Sequence, residues 1–255
     1  MLYRFFSAAY AVTLPVLLFS SVPASAQQWV GPPPAKYFLH AGVVLPGGSQ
    51  ALSDSATFPL YDETARFDTA YDVGRGGGFE IGGGAYVWNN VAVGVTISRV
   101  GGGGDARVSA SLPHPVLFGA PRSAQLTSTS DHSERAVHVQ ALWTVPIRDK
   151  FDVTVSAGPS FYSVRQELVT EFFFAEGPEP FRTVTATGTT QVTRSESAVG
   201  LNLGVDGVYM LTPRLGGGLT LRYSGASVDL PGAGGQDVTV DAGGFQASFG
   251  IRFRF

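Results

Sequence analysis

The chain has 255 residues, a formal net charge of −3 and only 15% charged residues, a balance too mild to argue for nucleic acid or an anionic surface as partner. It has no cysteine, which excludes disulfides, thiol catalysis, zinc–thiolate sites and lipid attachment through an N-terminal Cys. After the first segment no apolar stretch is long enough for a transmembrane helix.

Residues 1–26 carry Arg4, an apolar run from Phe5 to Phe19 and then Ala24-Ser25-Ala26. A short basic head, an apolar middle and an A-x-A site describe a secretory signal peptide cleaved after Ala26. Pro15 interrupts the run and no basic stop-transfer flank follows, which argues against a membrane anchor. Residues 27–36, with Pro32-Pro33-Pro34, read as an extended periplasmic lead-in.

From residue 37 the pattern has period two. Tyr37, Leu39, Ala41, Val43 and Leu45 alternate with Phe38, His40, Gly42 and Val44 and predict a first strand. Phe79 to Val87 and Val91 to Ile97 alternate on either side of Asn89-Asn90, which predicts a hairpin with a tight turn. A second hairpin joins Val137–Val145 to Phe151–Pro159 through a turn near Ile147. A third joins Val199–Tyr209 to Leu215–Tyr223 through Thr212. The closing strand sets Phe245, Phe249, Ile251, Phe253 and Phe255 against Gln246, Ser248, Arg252 and Arg254, making eight strands in all.

The segments between hairpins, residues 46–78, 100–134, 165–197 and 225–240, are rich in Gly, Pro, Ser, Thr and Asp and read as four long connections. Alternation inside them, at residues 67–73 and 184–188, predicts strands that project as a sheet with open edges, able to add another chain's strand.

Each predicted strand has about nine to eleven alternating residues, the length a tilted strand needs to cross a bilayer. Hydrocarbon leaves no backbone group unpaired, so the sheet must close. An even strand count puts both ends and the short turns in the periplasm and the long loops outside. Trp143, Phe151, Tyr209, Phe253 and Phe255 sit beside the short turns or the terminus, as an interfacial girdle requires. A soluble barrel, the competing reading, has no need of aromatics stationed at its strand ends.

The signal peptide, the eight alternating segments and the terminal Phe255 preceded by Phe253, Ile251 and Phe249 resemble the small outer-membrane barrels of Gram-negative bacteria, the OmpA-barrel, OmpX and OmpW type. The resemblance implies an all-β, eight-stranded antiparallel transmembrane β-barrel over residues 37–255. It also implies that Phe249, Ile251, Phe253 and Phe255 form a recognition signal for the barrel-assembly machinery. No functional residue of a particular member is matched, and a fold of this kind hosts several unrelated activities.

Three features could carry chemistry. His132, Ser133 and Glu134 in SDHSERAV supply a Ser, a His and an acid, but in a strand Ser133 points away from the other two, so a solvated loop base is expected. The glycine runs 74–78 and 101–104 fail the spacing of phosphate-binding loops and read as flexible loop bases. His40, His114, His132 and His138 are scattered without ligand spacing, so no metal or cofactor is expected.

The lumen is more informative. Eight strands leave room only for side chains, so the inward charges Glu80, Asp206, Arg222 and Arg252, with His138 nearby, must pair. Counting from the turns gives two groupings, Asp206 with Arg252 and Glu80 with Arg222, which form a plug; Arg254 should reach periplasmic water. Phe172-Phe173-Phe174, Phe181 and SLPHPVLFGAP supply loop aromatics to cover the mouth. The expected protein is a monomeric, non-enzymatic barrel in contact with outer-membrane lipid and lipopolysaccharide, with a structural or surface-interaction role. The alternatives are a narrow channel for small or hydrophobic solutes and, third, a lipid A-editing enzyme.

Overall fold

A computed structural model describes residues 35–255. The predicted signal peptide, residues 1–26, and most of the lead-in lie outside the described residues. The strands are β1 (Tyr37–Pro46), β2 (Ser49–Leu60), β3 (Glu63–Trp88), β4 (Val91–Leu112), β5 (Arg122–Arg148), β6 (Phe151–Glu176), β7 (Val184–Met210), β8 (Leu215–Pro231) and β9 (Asp237–Arg254). All pairings are antiparallel, and β1 pairs with both β3 and β9, which closes the ring.

β1 and β2 are two halves of one strand line, broken at Gly47-Gly48, where Gly48 has φ +84°. β1 lies along the lower half of β3 as far as Val44↔Gly78, and β2 along its upper half from Ser49↔Gly74. The ring therefore holds eight strand lines, as its alternation predicted. The four predicted long connections prove to be mostly strand. Only residues 61–62, 113–121, 177–183 and 232–236 remain as outer loops.

Those connections looked irregular because the barrel exchanges its faces partway up. On β4, Val91, Val93, Val95 and Ile97 point outward and are exposed, whereas Ala92, Thr96 and Ser98 point inward. From Arg99 onward the outward residues are polar or glycine, and the inward ones become Val100, Ala106, Val108, Ala110 and Leu112. The lower storey is an inside-out barrel with an apolar exterior, and the upper storey has its apolar face inside, as a water-soluble barrel does.

On β3 a bulge makes the exchange. Arg75 pairs with Gly102 and Gly78 with Val100, leaving Gly76 and Gly77 opposite Gly101. The extra residue reverses the side-chain phase, so Phe67, Tyr71 and Val73 point in while Phe79 and Ile81 point out. The two glycine runs, expected as flexible loop bases, are instead paired strand backbone. A Cβ on Gly102 or Gly104 would lie 2.1 or 1.8 Å from a carbonyl oxygen of β3, so only glycine fits there.

Some ladders end where the faces exchange. β7 and β8 separate above Leu201↔Gly225, β5 and β6 above His132↔Gln166, and β1 and β9 above Pro46↔Gln246. The upper storey is thus a four-stranded sheet of β2–β5 plus the hairpin tops of β6–β7 and β8–β9. Together they enclose one apolar core that includes the fully buried Tyr71, Leu112, Leu168, Val169, Leu230 and Val240. Each fully buried Leu or Val there stabilises the fold by roughly 1.5–3 kcal/mol.

Candidate functional site

The barrel interior is built in layers, and the inward-facing positions of the strands decide which side chains meet. At the periplasmic mouth Arg254 Nη1 donates to Asp152 Oδ2 at 2.5 Å. Arg254 was expected in periplasmic water; its position on the inward series of β9 turns it onto Asp152 of β6 instead. Above it Arg252 grips Asp206 with two hydrogen bonds, Nε to Oδ2 at 3.1 Å and Nη2 to Oδ1 at 2.8 Å. Thr220 stands beside the pair, donating to Asp206 Oδ1 at 2.8 Å and accepting from Arg252 Nη2 at 2.7 Å.

Next comes a neutral network. Gln140 accepts from Thr96 at 3.2 Å and donates to Asn202 Oδ1 at 2.8 Å, and Asn202 Nδ2 donates to Ser160 Oγ at 2.8 Å. Arg222 Nη2 meets Glu80 Oε2 at 2.8 Å, and Ser248 donates to Glu80 Oε1 at 2.6 Å. Both residues of that pair are buried. His138 lies apart from the ion pairs, its ring between Ser160 (2.7 Å) and Ser98 (3.3 Å).

His132 and Glu134 form the layer beneath the apolar core. They are buried, not at a solvated loop base, because their positions on β5 are on the inward series. His132 Nε2 is 2.9 Å from Glu134 Oε1, and its Nδ1 is 2.8 Å from Gln166 Oε1 of β6. Glu134 Oε2 accepts from the amide of Gly243 on β9 at 2.9 Å. Arg75 of β3 donates to the carbonyls of Gly243 and Asp241. The layer therefore ties four strands together where their ladders part. Ser133 faces away from His132, whose ring meets Gln166 and Glu134 instead. Arg75, which sequence reasoning placed only within a glycine run, turns inward because it precedes the bulge.

At the apex, Phe67 and Phe172 stack at 6.3 Å and Phe172 and Phe174 at 6.5 Å, while Phe173 faces out. Arg122 donates to both carboxylate oxygens of Glu176 and to the carbonyls of Pro113 and Phe181. Its hydrogen bonds hold the Glu176 carboxyl below the usual carboxylate range. Tyr61 adds a hydrogen bond to Glu176 at 3.0 Å. His114 accepts from the amides of Val116 and Leu117, both at 3.1 Å, and sets the conformation of the β4–β5 loop. On that loop Val116, Leu117 and Phe118 are 66, 58 and 77% exposed.

The outer surface of the lower storey is a belt of exposed apolar side chains. Trp143, Phe151, Tyr209, Phe253 and Phe255 lie at its periplasmic edge, with Tyr37 and Trp88 among them. Phe151 and Tyr209 are cross-strand partners, and Phe255 packs against Tyr37 at 5.7 Å and Phe253 at 5.6 Å. A second ring, at the opposite edge, consists of Phe79, Phe161, Tyr223 and Phe245. Each is the last aromatic or apolar outward residue before glycine or polar residues begin, a signal legible in the sequence.

The closed ring, the exposed apolar belt between two aromatic edges and the paired lumenal charges define an integral membrane protein of the β-barrel class. A family model described as the outer membrane protein beta-barrel domain matches residues 12–253. The chain belongs to that family, which places it in the outer membrane. No curated protein sequence matches it.

The solved structures similar to it share little of its sequence. Neisserial surface protein A is 13% identical, with 86% of this chain and 97% of that one covered and a TM-score of 0.43. The outer membrane protein OprG of Pseudomonas aeruginosa is 9% identical, with 87 and 96% covered and a TM-score of 0.49. The attachment invasion locus protein Ail of Yersinia pestis is 12% identical, with 87 and 99% covered and a TM-score of 0.37.

Proposed function

We propose that this chain is a monomeric, non-conducting outer-membrane barrel that acts through its extracellular storey as a surface-interaction protein. The observation that carries the reading is the apolar core above the lumen. A solute entering from outside meets packed Tyr71, Leu112, Leu168 and Leu230, then the His132–Glu134–Arg75 layer, then two ion pairs. The cavity below, lined by Phe38, Tyr86, Asp206 and Arg252, measures about 60 Å³, room for a few waters and no more.

With the bore filled, the surface available for recognition is the apex, where the Arg122–Glu176 clamp and His114 hold Val116, Leu117 and Phe118 toward the exterior. An enzymatic role gains no support from SDHSERAV, because Ser133 and His132 are on opposite faces of β5. The closed ring leaves no free edge within the belt that a second copy would have to cover.

Planar-bilayer recording of the purified, folded barrel tests the reading. Silence is expected. Reproducible single-channel steps that disappear in Arg222→Ala or Glu80→Ala would establish the narrow channel instead.

A further inference from the structure

Three outward arginines stand where the lipid-facing belt ends. The outward series of β4 runs Val95, Ile97, Arg99; that of β5 runs Val139, Val137, Arg135; that of β6 runs Phe161, Ser163, Arg165. All three arginines are exposed. Arg99 and Arg135 are direct cross-strand partners, and Arg165 lies on the next strand, one row farther out, opposite Ser133.

Two like charges directly opposed on adjacent strands destabilise a sheet. Among the described residues, the ion pairs are made by other arginines, so no carboxylate neutralises these. The nearest outward carboxylates on the same strands, Asp131 and Glu167, sit farther out, where Glu167 accepts from the amide of Asp131 at 3.1 Å. The corresponding outward positions on the other strands are Gly47, Gly77, Ser197, Gly225 and Asp241, so the positive charge is confined to one side of the barrel.

Three adjacent strands span two inter-strand spacings, about 10 Å, so the three guanidinium groups can converge on one anionic headgroup. At this height the hydrocarbon gives way to lipid headgroups, and guanidinium binds phosphate with paired, charge-assisted hydrogen bonds. We propose that Arg99, Arg135 and Arg165 form a binding site for the phosphorylated headgroup of an outer-leaflet lipid, with acyl chains lying along Ile97, Val137 and Phe161. The site is continuous with the lipid-facing belt and is independent of whether the lumen conducts.

Native mass spectrometry of the detergent-solubilised barrel with added diphosphoryl lipid A tests this. The wild-type barrel should retain the lipid, and the Arg99→Gln, Arg135→Gln, Arg165→Gln triple variant should lose retention by at least about tenfold. Dephosphorylated lipid A should bind the wild-type barrel as weakly as the intact lipid binds the triple variant. Arg107→Gln, farther out beside Asp105, should leave retention unchanged. A shift in gel mobility between unboiled and boiled samples checks folding, and if the triple variant fails it, Arg165→Gln alone should show a several-fold loss. Equal retention by a folded variant, or equal retention of a zwitterionic lipid, overturns the proposal. So does displacement by inorganic phosphate as effective as by lipid A, which would assign the site to a soluble anion.

Discussion

Arg222 and Glu80 show what a narrow lumen demands of single residues. Both are buried, so removing one partner leaves the other charged in a site with little water to solvate it. Arg222→Ala is expected to lower stability by about 3–5 kcal/mol, leaving Glu80 only Ser248 as partner. Arg254→Ala, which breaks a partly exposed pair at the periplasmic mouth, should cost less than that. Urea unfolding of both variants in lipid vesicles measures the difference, and equal losses would mean that the two pairs share one environment. The inward residues of this network were legible because alternation assigns a face and distance from a turn assigns a height. Nearness to the chain end suggests water for Arg254, whereas the face it occupies brings it onto Asp152 of β6.

At the scale of the element, β3 is where sequence and structure part most instructively. Its apolar residues fall on odd numbers throughout, Phe67, Tyr71 and Val73 and then Phe79 and Ile81, with no break in phase, yet the first group faces the core and the second faces lipid. Only the bulge at Gly76-Gly77 reconciles them, and a bulge leaves little trace in hydrophobic periodicity beyond a glycine. On β4 the reverse holds: the backbone runs straight and the sequence changes phase between Ile97 and Val100. A search for one unbroken alternation therefore stops at the membrane edge on β4 and treats the rest as loop, which is why strands of 22–27 residues on β3–β7 were read as half that length.

Deleting Gly77 tests the role of the bulge. With the phase reversal removed, one side or the other of residue 76 must present its wrong face, and β1 and β4 hold the lower half in register. The expected result is a barrel that still shifts in mobility on boiling but is cleaved by trypsin at Arg66, a site the parent protects through pairing on both sides. Parental resistance at Arg66 would show that the bulge does not set the upper face.

For the whole molecule, the two storeys are stabilised by different solvents. The lower one gains from lipid around its exterior, and the upper one gains from expelling water from its interior. They should therefore open separately and from different places. The weakest unit by this argument is the top of the β8–β9 hairpin, the shorter of the two hairpin tops whose backbone pairs only with itself above the points where the ladders to the neighbouring strands end. It is fastened by Val228, Leu230, Val238 and Val240 in the core, by Asp54 accepting from the amide of Ala233 at 2.8 Å, and by Arg75 on Gly243 and Asp241. Hydrogen exchange on the barrel in lipid nanodiscs should find amides of residues 226–242 exchanging well before those of residues 91–98 and 137–145. Arg75→Ala should widen that gap by loosening the hairpin while leaving the belt unchanged. Uniform protection across both storeys would instead mean that the molecule opens as one unit, with the polar layer at Arg75, His132 and Glu134 coupling the core above to the lumen below.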